Sequence, residues 1–208
     1  MVNELNYLTE SASQTAGPYV HIGLAPKQAG FDIFDNNFSS VLAGPKTKGE
    51  HIRIEGRVID GSGTALRDVL LEIWQANAAG KYNHPADRQN KPIDKTFRGW
   101  GRGCSDFVTG IYAFETVKPG VVVGRNQRSM APHVNFWIVA RGINIGLSTR
   151  MYFSDEAAAN AKDPVLNIIE WEARRKTLIA QREDKKGRVV YRFDIHLQGP
   201  DETVFFDI

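Results

Sequence analysis

The chain has 208 residues, 42% of them hydrophobic, 24% charged and 10% aromatic, and 26 basic against 24 acidic side chains leave a formal charge of +2. These proportions exclude wholesale disorder and carry no nucleic-acid-binding signature, while the single cysteine, Cys104, excludes an internal disulfide framework or a cysteine-rich zinc site. No basic segment followed by an apolar core opens the sequence, and no apolar run approaches the roughly 18 residues of a membrane span, so the chain reads as soluble and cytoplasmic.

Residues 1–50 read as an extended arm. The stretch 11–20 is small and polar, Pro18 keeps Gly17 out of helical geometry, and Pro26, Gly30, Gly44 and Pro45 punctuate the remainder of the arm. With few periodic apolar residues of its own, such an arm either wraps its own domain or lies on a neighbour. From His51 the texture changes. Ile52 and Ile54 alternate with Arg53 and Glu55, as in a half-buried strand. A turn at Asp60-Gly61-Ser62-Gly63 comes next, then an interior strand over 69–74. Residues 76–105 read as a long polar loop, which in a compact domain points to function.

Further strands are predicted over 111–116, 134–140 and 147–153. A short helix begins at Ser154 or Asp155 and stops before Pro164. A second helix is predicted over 167–182, with Ile168, Trp171, the Arg175 stem, Leu178 and Ile179 forming one stripe. Val189, Tyr191, Phe193, Ile195 and Leu197 then alternate with Arg192, Asp194 and His196 in a clear strand pattern, and Val204-Phe205-Phe206 closes the chain. The fold class is mainly β: a β-sandwich with long loops, small helical inserts and an extended N-terminal arm over 1–50, the sandwich itself spanning 51–208.

No G-x-S-x-G elbow, P-loop or Rossmann fingerprint is present. Gly99, Gly101 and Gly103 lack the strand-then-helix setting of a phosphate loop. Cys104 reads as a small buried or loop thiol with no base beside it. His133 and Asn135, two apart on a strand, share a face. A second histidine there would make a metal-binding pair, but an amide oxygen is a poor substitute for imidazole, and His133 alone reads as structural.

Taken in order, Leu71-Glu72-Ile73-Trp74-Gln75-Ala76-Asn77, Gly80-Lys81-Tyr82, Phe114-Glu115-Thr116-Val117-Lys118-Pro119-Gly120 and Pro132-His133-Val134-Asn135 resemble the motifs of intradiol ring-cleavage dioxygenases. The segment 14–24 and the tail 202–207 are similar to the α-type chain found in hetero-oligomeric members. Iron-bearing chains of that family hold Fe(III) with two tyrosines and two histidines, hard phenolate oxygens suiting the ferric ion. Tyr82 falls at the first tyrosine and His133 at the first histidine, but Val122 falls in the Val121-Val122-Val123 stretch where the second tyrosine belongs, and Asn135 replaces the second histidine. The resemblance therefore implies a degenerate iron site and no metal in this chain.

The same resemblance implies Fe(III) bound by a homologous β chain, a higher-order αβ oligomer, and a small aromatic acid of the catechol type opened with O2 in bacterial aromatic catabolism. Neither nucleic acid nor membrane is an expected partner. The arm over 1–50 would pack on the partner β chain, Thr15, Gly17, Pro18, Tyr19 and Arg141 would be contributed to the β-chain pocket, and this chain alone would be inactive. Without the resemblance, Arg141 reads as a solvated strand-end charge; with it, its planar fork suits a carboxylate. Two other readings stay open: a β-sandwich binding or carrier module without enzymatic activity, and a dioxygenase that holds iron through Tyr82, His133 and either His84 or Tyr112.

Overall fold

The alternation that begins at His51 becomes β1, His51–Ile59, in the computed structural model, which describes residues 12–35 and 37–207. Ile52, Ile54 and Val58 point into the core, while Arg53 on the opposite face pairs with Glu55 and Glu115. The remaining strands are β2 (Leu70–Trp74), β3 (Trp100–Cys104), β4 (Ile111–Val117), β5 (Val122–Val123), β6 (Ser129–Met130), β7 (His133–Val139), β8 (Leu147–Phe153), β9 (Ile179–Lys185), β10 (Arg188–Arg192) and β11 (Ile195–His196). Among the described residues three short α-helices accompany them, α1 (Val20–Leu24) ahead of β1, and α2 (Ala157–Asn160) and α3 (Glu172–Lys176) between β8 and β9.

The main sheet runs β11-β1-β10-β9-β8-β7-β2-β3, with β4 on the other edge of β1, and β5 and β6 pair separately. It curls so that the β1–β4 half faces the β2–β7 half. Phe114 of β4 meets Phe136 of β7 edge-on, with ring centroids 6.3 Å apart, and Tyr112 and Phe193 complete that aromatic centre. The mainly β sandwich with small helical inserts is the architecture observed. Of the two arrangements open to the arm, residues 41–43 take the first: Leu42 and Ala43 enter this chain's own core, and Leu42 N–H donates to Glu115 O.

Three expectations are corrected. The stretch 76–105 is not loop throughout, because β3 occupies its end. Gly101 there has no room for a side chain, since a Cβ would fall 2.5 Å from Leu42 Cδ1; the glycines let residues 39–42 lie against β3. The helix over 167–182 does not form. Trp171 is extended, helical geometry is confined to a 3-10 turn at Leu166–Ile168 and to α3, and Ile179–Lys185 is a strand hairpinned to β10. Both residues of that two-residue turn, Lys186 and Gly187, have positive φ (52° and 78°), as a turn matching strand twist requires. The supposed stripe is split: Ile168 and Trp171 stay 79% and 70% exposed, while Leu178 is fully buried in a small core cluster with Ile179 packed against it. Finally, the strand pattern from Val189 to Leu197 splits, because the Asp194 carboxylate accepts the Arg57 N–H at 2.8 Å where a ladder carbonyl would stand.

Candidate functional site

The loop after β2 is fixed by buried amides. Gln75 donates to Val117 O at 2.9 Å and accepts from the Thr116 hydroxyl at 2.8 Å. Asn77 accepts the Ala79 and Lys81 N–H groups and donates to Pro92 O at 2.9 Å. Lys81 and Asp87, both buried, form an ion pair at 3.2 Å, and Asp87 also accepts the Tyr82 N–H at 2.8 Å. Burial alone would raise the Asp87 carboxyl, but donors from Gln89, Tyr82 and Lys81 outweigh it and hold it below the usual range. This frame stacks the Tyr82 ring on Trp74, 5.7 Å between centroids and 7° from parallel. Sequence reading missed the framing role of Gln75, Asn77, Lys81 and Asp87. The available signal was two polar residues directly after an apolar interior strand.

Tyr82 then reaches His133 across the pocket, its hydroxyl 3.2 Å from Nε2. The other ring nitrogen, Nδ1, lies 2.7 Å from Ala131 O, an acceptor only. Nδ1 therefore carries the proton and Nε2 accepts from the phenol. Burial, aided by the nearby Arg150 cation, lowers the His133 pKa to about 4, and burial raises that of the Tyr82 phenol. Asn135 stands opposite Arg150 in the β7–β8 register, and Arg150 Nε donates to Asn135 Oδ1 at 2.9 Å while Nη1 approaches Met130 Sδ at 3.7 Å. Val122 is buried and apolar.

These residues do not fit a ferric ion. The phenol is protonated and spends its hydrogen on the imidazole lone pair that would face a metal; the third position is hydrocarbon, and the fourth is an amide already bound by a guanidinium. Arg150 sets its positive charge beside Tyr82 and His133. A cavity of about 780 Å³ opens over Tyr82, with Trp74, Val122 and Met130 in its wall. His84 lies edge-on to Trp74, but Tyr112 is in the aromatic core donating to Phe193 O, so a Tyr82–His133–Tyr112 ligand set is not assembled. Among the described residues no cluster of three or more His, Cys, Asp or Glu side chains is arranged to hold a metal. Cys104 is inert by its surroundings, burial pushing its thiol up to about 12.

The other candidate residues gather elsewhere. Arg141 lies just past the far end of β7, eight residues from His133, or about 26 Å of extended chain. Thr15 joins it there: its hydroxyl accepts the Gly142 N–H at 2.7 Å and lies 3.4 Å from Ala140 O, bracing the turn that carries Arg141. Gly17, Pro18 and Tyr19 lead into α1 and are exposed, Tyr19 by 75%. A Cβ on Gly17 would meet nothing within 4 Å. Arg141 Nε pairs with Asp68 at 2.6 Å, a partner the sequence did not single out.

The chain thus carries a curled sheet with an aromatic centre, a buried Tyr82–His133 pair near one end of β7 and a second polar cluster at the other. The Dioxygenase_C family, described as Dioxygenase, matches residues 32–199, and the chain belongs to that family. It is 51% identical over 203 residues to the protocatechuate 3,4-dioxygenase alpha chain of Pseudomonas putida, covering 98% of each chain. With the alpha chain of Burkholderia cepacia the identity is 46% over 204 residues, 97% of this chain and 98% of that one. The Burkholderia cepacia beta chain is 38% identical over 161 residues, 74% of this chain and 67% of that one. The crystal structure of 3-chlorocatechol 1,2-dioxygenase from Rhodococcus opacus 1CP shares the fold, with a TM-score of 0.56 at 18% identity over 91% of this chain and 68% of that one. The family resemblance read from the motifs is borne out.

Proposed function

We propose that this chain is the iron-free α subunit of a cytoplasmic protocatechuate 3,4-dioxygenase, and that it completes the substrate pocket of a β chain that carries Fe(III). In the reaction, the bond between the two hydroxyl-bearing ring carbons of 3,4-dihydroxybenzoate breaks and both atoms of O2 enter the two new carboxylates, giving 3-carboxy-cis,cis-muconate. The β-chain iron supplies activation of the diol toward O2. This chain's part is recognition. Arg141 pairs with the ring carboxylate, and Thr15 braces its turn. Gly17 and Pro18 let the arm's backbone approach the ring, and Tyr19 covers it.

The observation that carries this reading is the separation along β7. The carboxylate-binding candidates sit at one end and the degenerate metal pocket at the other, so Arg141 and Thr15 serve a centre outside this chain's own former site. The test is Arg141→Ala in the assembled αβ protein. Truncating one member of a guanidinium–carboxylate pair costs about 2–5 kcal/mol, so kcat/KM for protocatechuate is expected to fall at least 30-fold while that for catechol, which lacks the carboxylate, changes little. An equal fall for both substrates would assign Arg141 to pocket shape. No fall for either would leave this chain as scaffold, or as a carrier module.

A further inference from the structure

Arg141 is 60% exposed, and a long exposed side chain does not hold one direction by packing. Its direction is set across the sheet. In the antiparallel β2–β7 ladder Leu70 stands opposite Val139, and continuing that register two residues beyond Leu70 brings Asp68 opposite Arg141. This register makes the contact, with Nε 2.6 Å from the Asp68 carboxylate, whose side chain is only 12% exposed. Asp68 is itself anchored through its neighbour, since Val69 N–H donates to the Ser105 hydroxyl at 3.1 Å and Val69 O accepts the Ser105 N–H at 3.0 Å. Engaging Nε leaves the outer edge of the guanidinium, Nη1 and Nη2, to make two parallel bonds to a second carboxylate.

We propose that Asp68 is a positioning residue that orients Arg141 so that its outer edge meets the carboxylate of the aromatic acid in the partner's pocket. The proposal rests on the carboxylate-binding role of Arg141 and adds the group that makes an exposed arginine selective. Charge and orientation predict opposite signs. Asp68 places a negative charge beside an anion-binding group, so removing that charge should tighten anion binding if electrostatic potential alone mattered. If orientation matters, removing it should weaken binding, because the guanidinium then loses its fixed direction.

The experiment uses the assembled αβ protein as wild type, Asp68→Asn, Asp68→Glu, Arg141→Ala and Asp68→Asn/Arg141→Ala. The probes are 4-hydroxybenzoate and its neutral analogue 4-hydroxybenzyl alcohol, titrated by calorimetry. Asp68→Asn is expected to weaken 4-hydroxybenzoate about tenfold and leave the alcohol unchanged, Asp68→Glu to recover most of the loss, and Asp68→Asn to add nothing once Arg141 is alanine. Unchanged or tighter acid binding in Asp68→Asn, with Arg141→Ala still weak, would overturn the positioning role alone. Equal weakening of both probes, or no recovery in Asp68→Glu, would mark a merely structural defect and also overturn it. Arg141→Ala without effect on the acid would overturn the Arg141 reading and this inference together.

Discussion

At the scale of single residues, Tyr82 and His133 form a closed hydrogen-bonded pair. Each satisfies the other inside a buried pocket, with Ala131 O taking the second imidazole position. Removing the Tyr82 hydroxyl leaves Nε2 buried without a donor, so Tyr82→Phe is expected to cost about 1–3 kcal/mol in denaturant unfolding. The pH dependence comes from the lowered His133 pKa of about 4. The unfolded chain protonates this imidazole near pH 6.5 and the folded chain only near 4, so the stabilisation is fully present above 6.5. It is lost as pH falls toward 4, about 3 kcal/mol in all. Chemical unfolding of wild type and His133→Gln at pH 7 and pH 4.5 should show the larger acid loss in wild type. Equal losses would remove His133 as the cause.

At the scale of elements, β5, β7 and β8 bring Val122, His133, Asn135 and Arg150 together, and Arg150 is the part that the motifs leave out. Introducing donors with Val122→Tyr and Asn135→His leaves the Arg150 guanidinium beside the side chain at position 135, adding positive charge next to those donors. That double variant is expected to retain no iron after dialysis and to stay colourless, whereas adding Arg150→Gln should permit iron binding with visible phenolate-to-ferric absorption. Iron bound by the double variant would show that Arg150 yields. The sequence made β1 legible because its alternation reflects burial directly, and β2, β4, β7 and β8 because they are short apolar-rich runs, while the ordered motifs located Tyr82 and His133. It did not reveal Arg150, because a strand arginine at any position reads as solvated until its register opposite Asn135 is known. The false helix over 167–182 has the same origin. Its apolar spacing suited a helix, but the Lys186-Gly187 turn and the pairing of β9 with β10 outweighed that local preference. Gly101 belongs here too: Gly101→Val should destabilise the chain by about 1–3 kcal/mol through crowding against Leu42, read as a lower denaturant midpoint.

For the molecule as a whole, the arm leaves Tyr19, Phe31, Ile33, Phe34 and Phe38 exposed, more apolar surface in one stretch than scattered single residues explain. The proposed β chain gives that surface a role, and the two ends of β7 give a way to separate its contribution from that of the Tyr82–His133 pocket. Gly17 has open space around it in this chain. Gly17→Val is therefore expected to leave the fold of this chain intact, with an unchanged circular dichroism spectrum, yet to lower protocatechuate turnover at least tenfold in the assembled protein, because the added methyl groups fill space kept for the partner's pocket. Arg150→Gln, at the opposite end, is expected to leave turnover within twofold of wild type. Iron content, measured by atomic emission, should stay at the wild-type value in both, since neither residue supplies a ligand. Turnover lost in Arg150→Gln and kept in Gly17→Val would reverse the assignment of the two ends and place the working pocket over Tyr82.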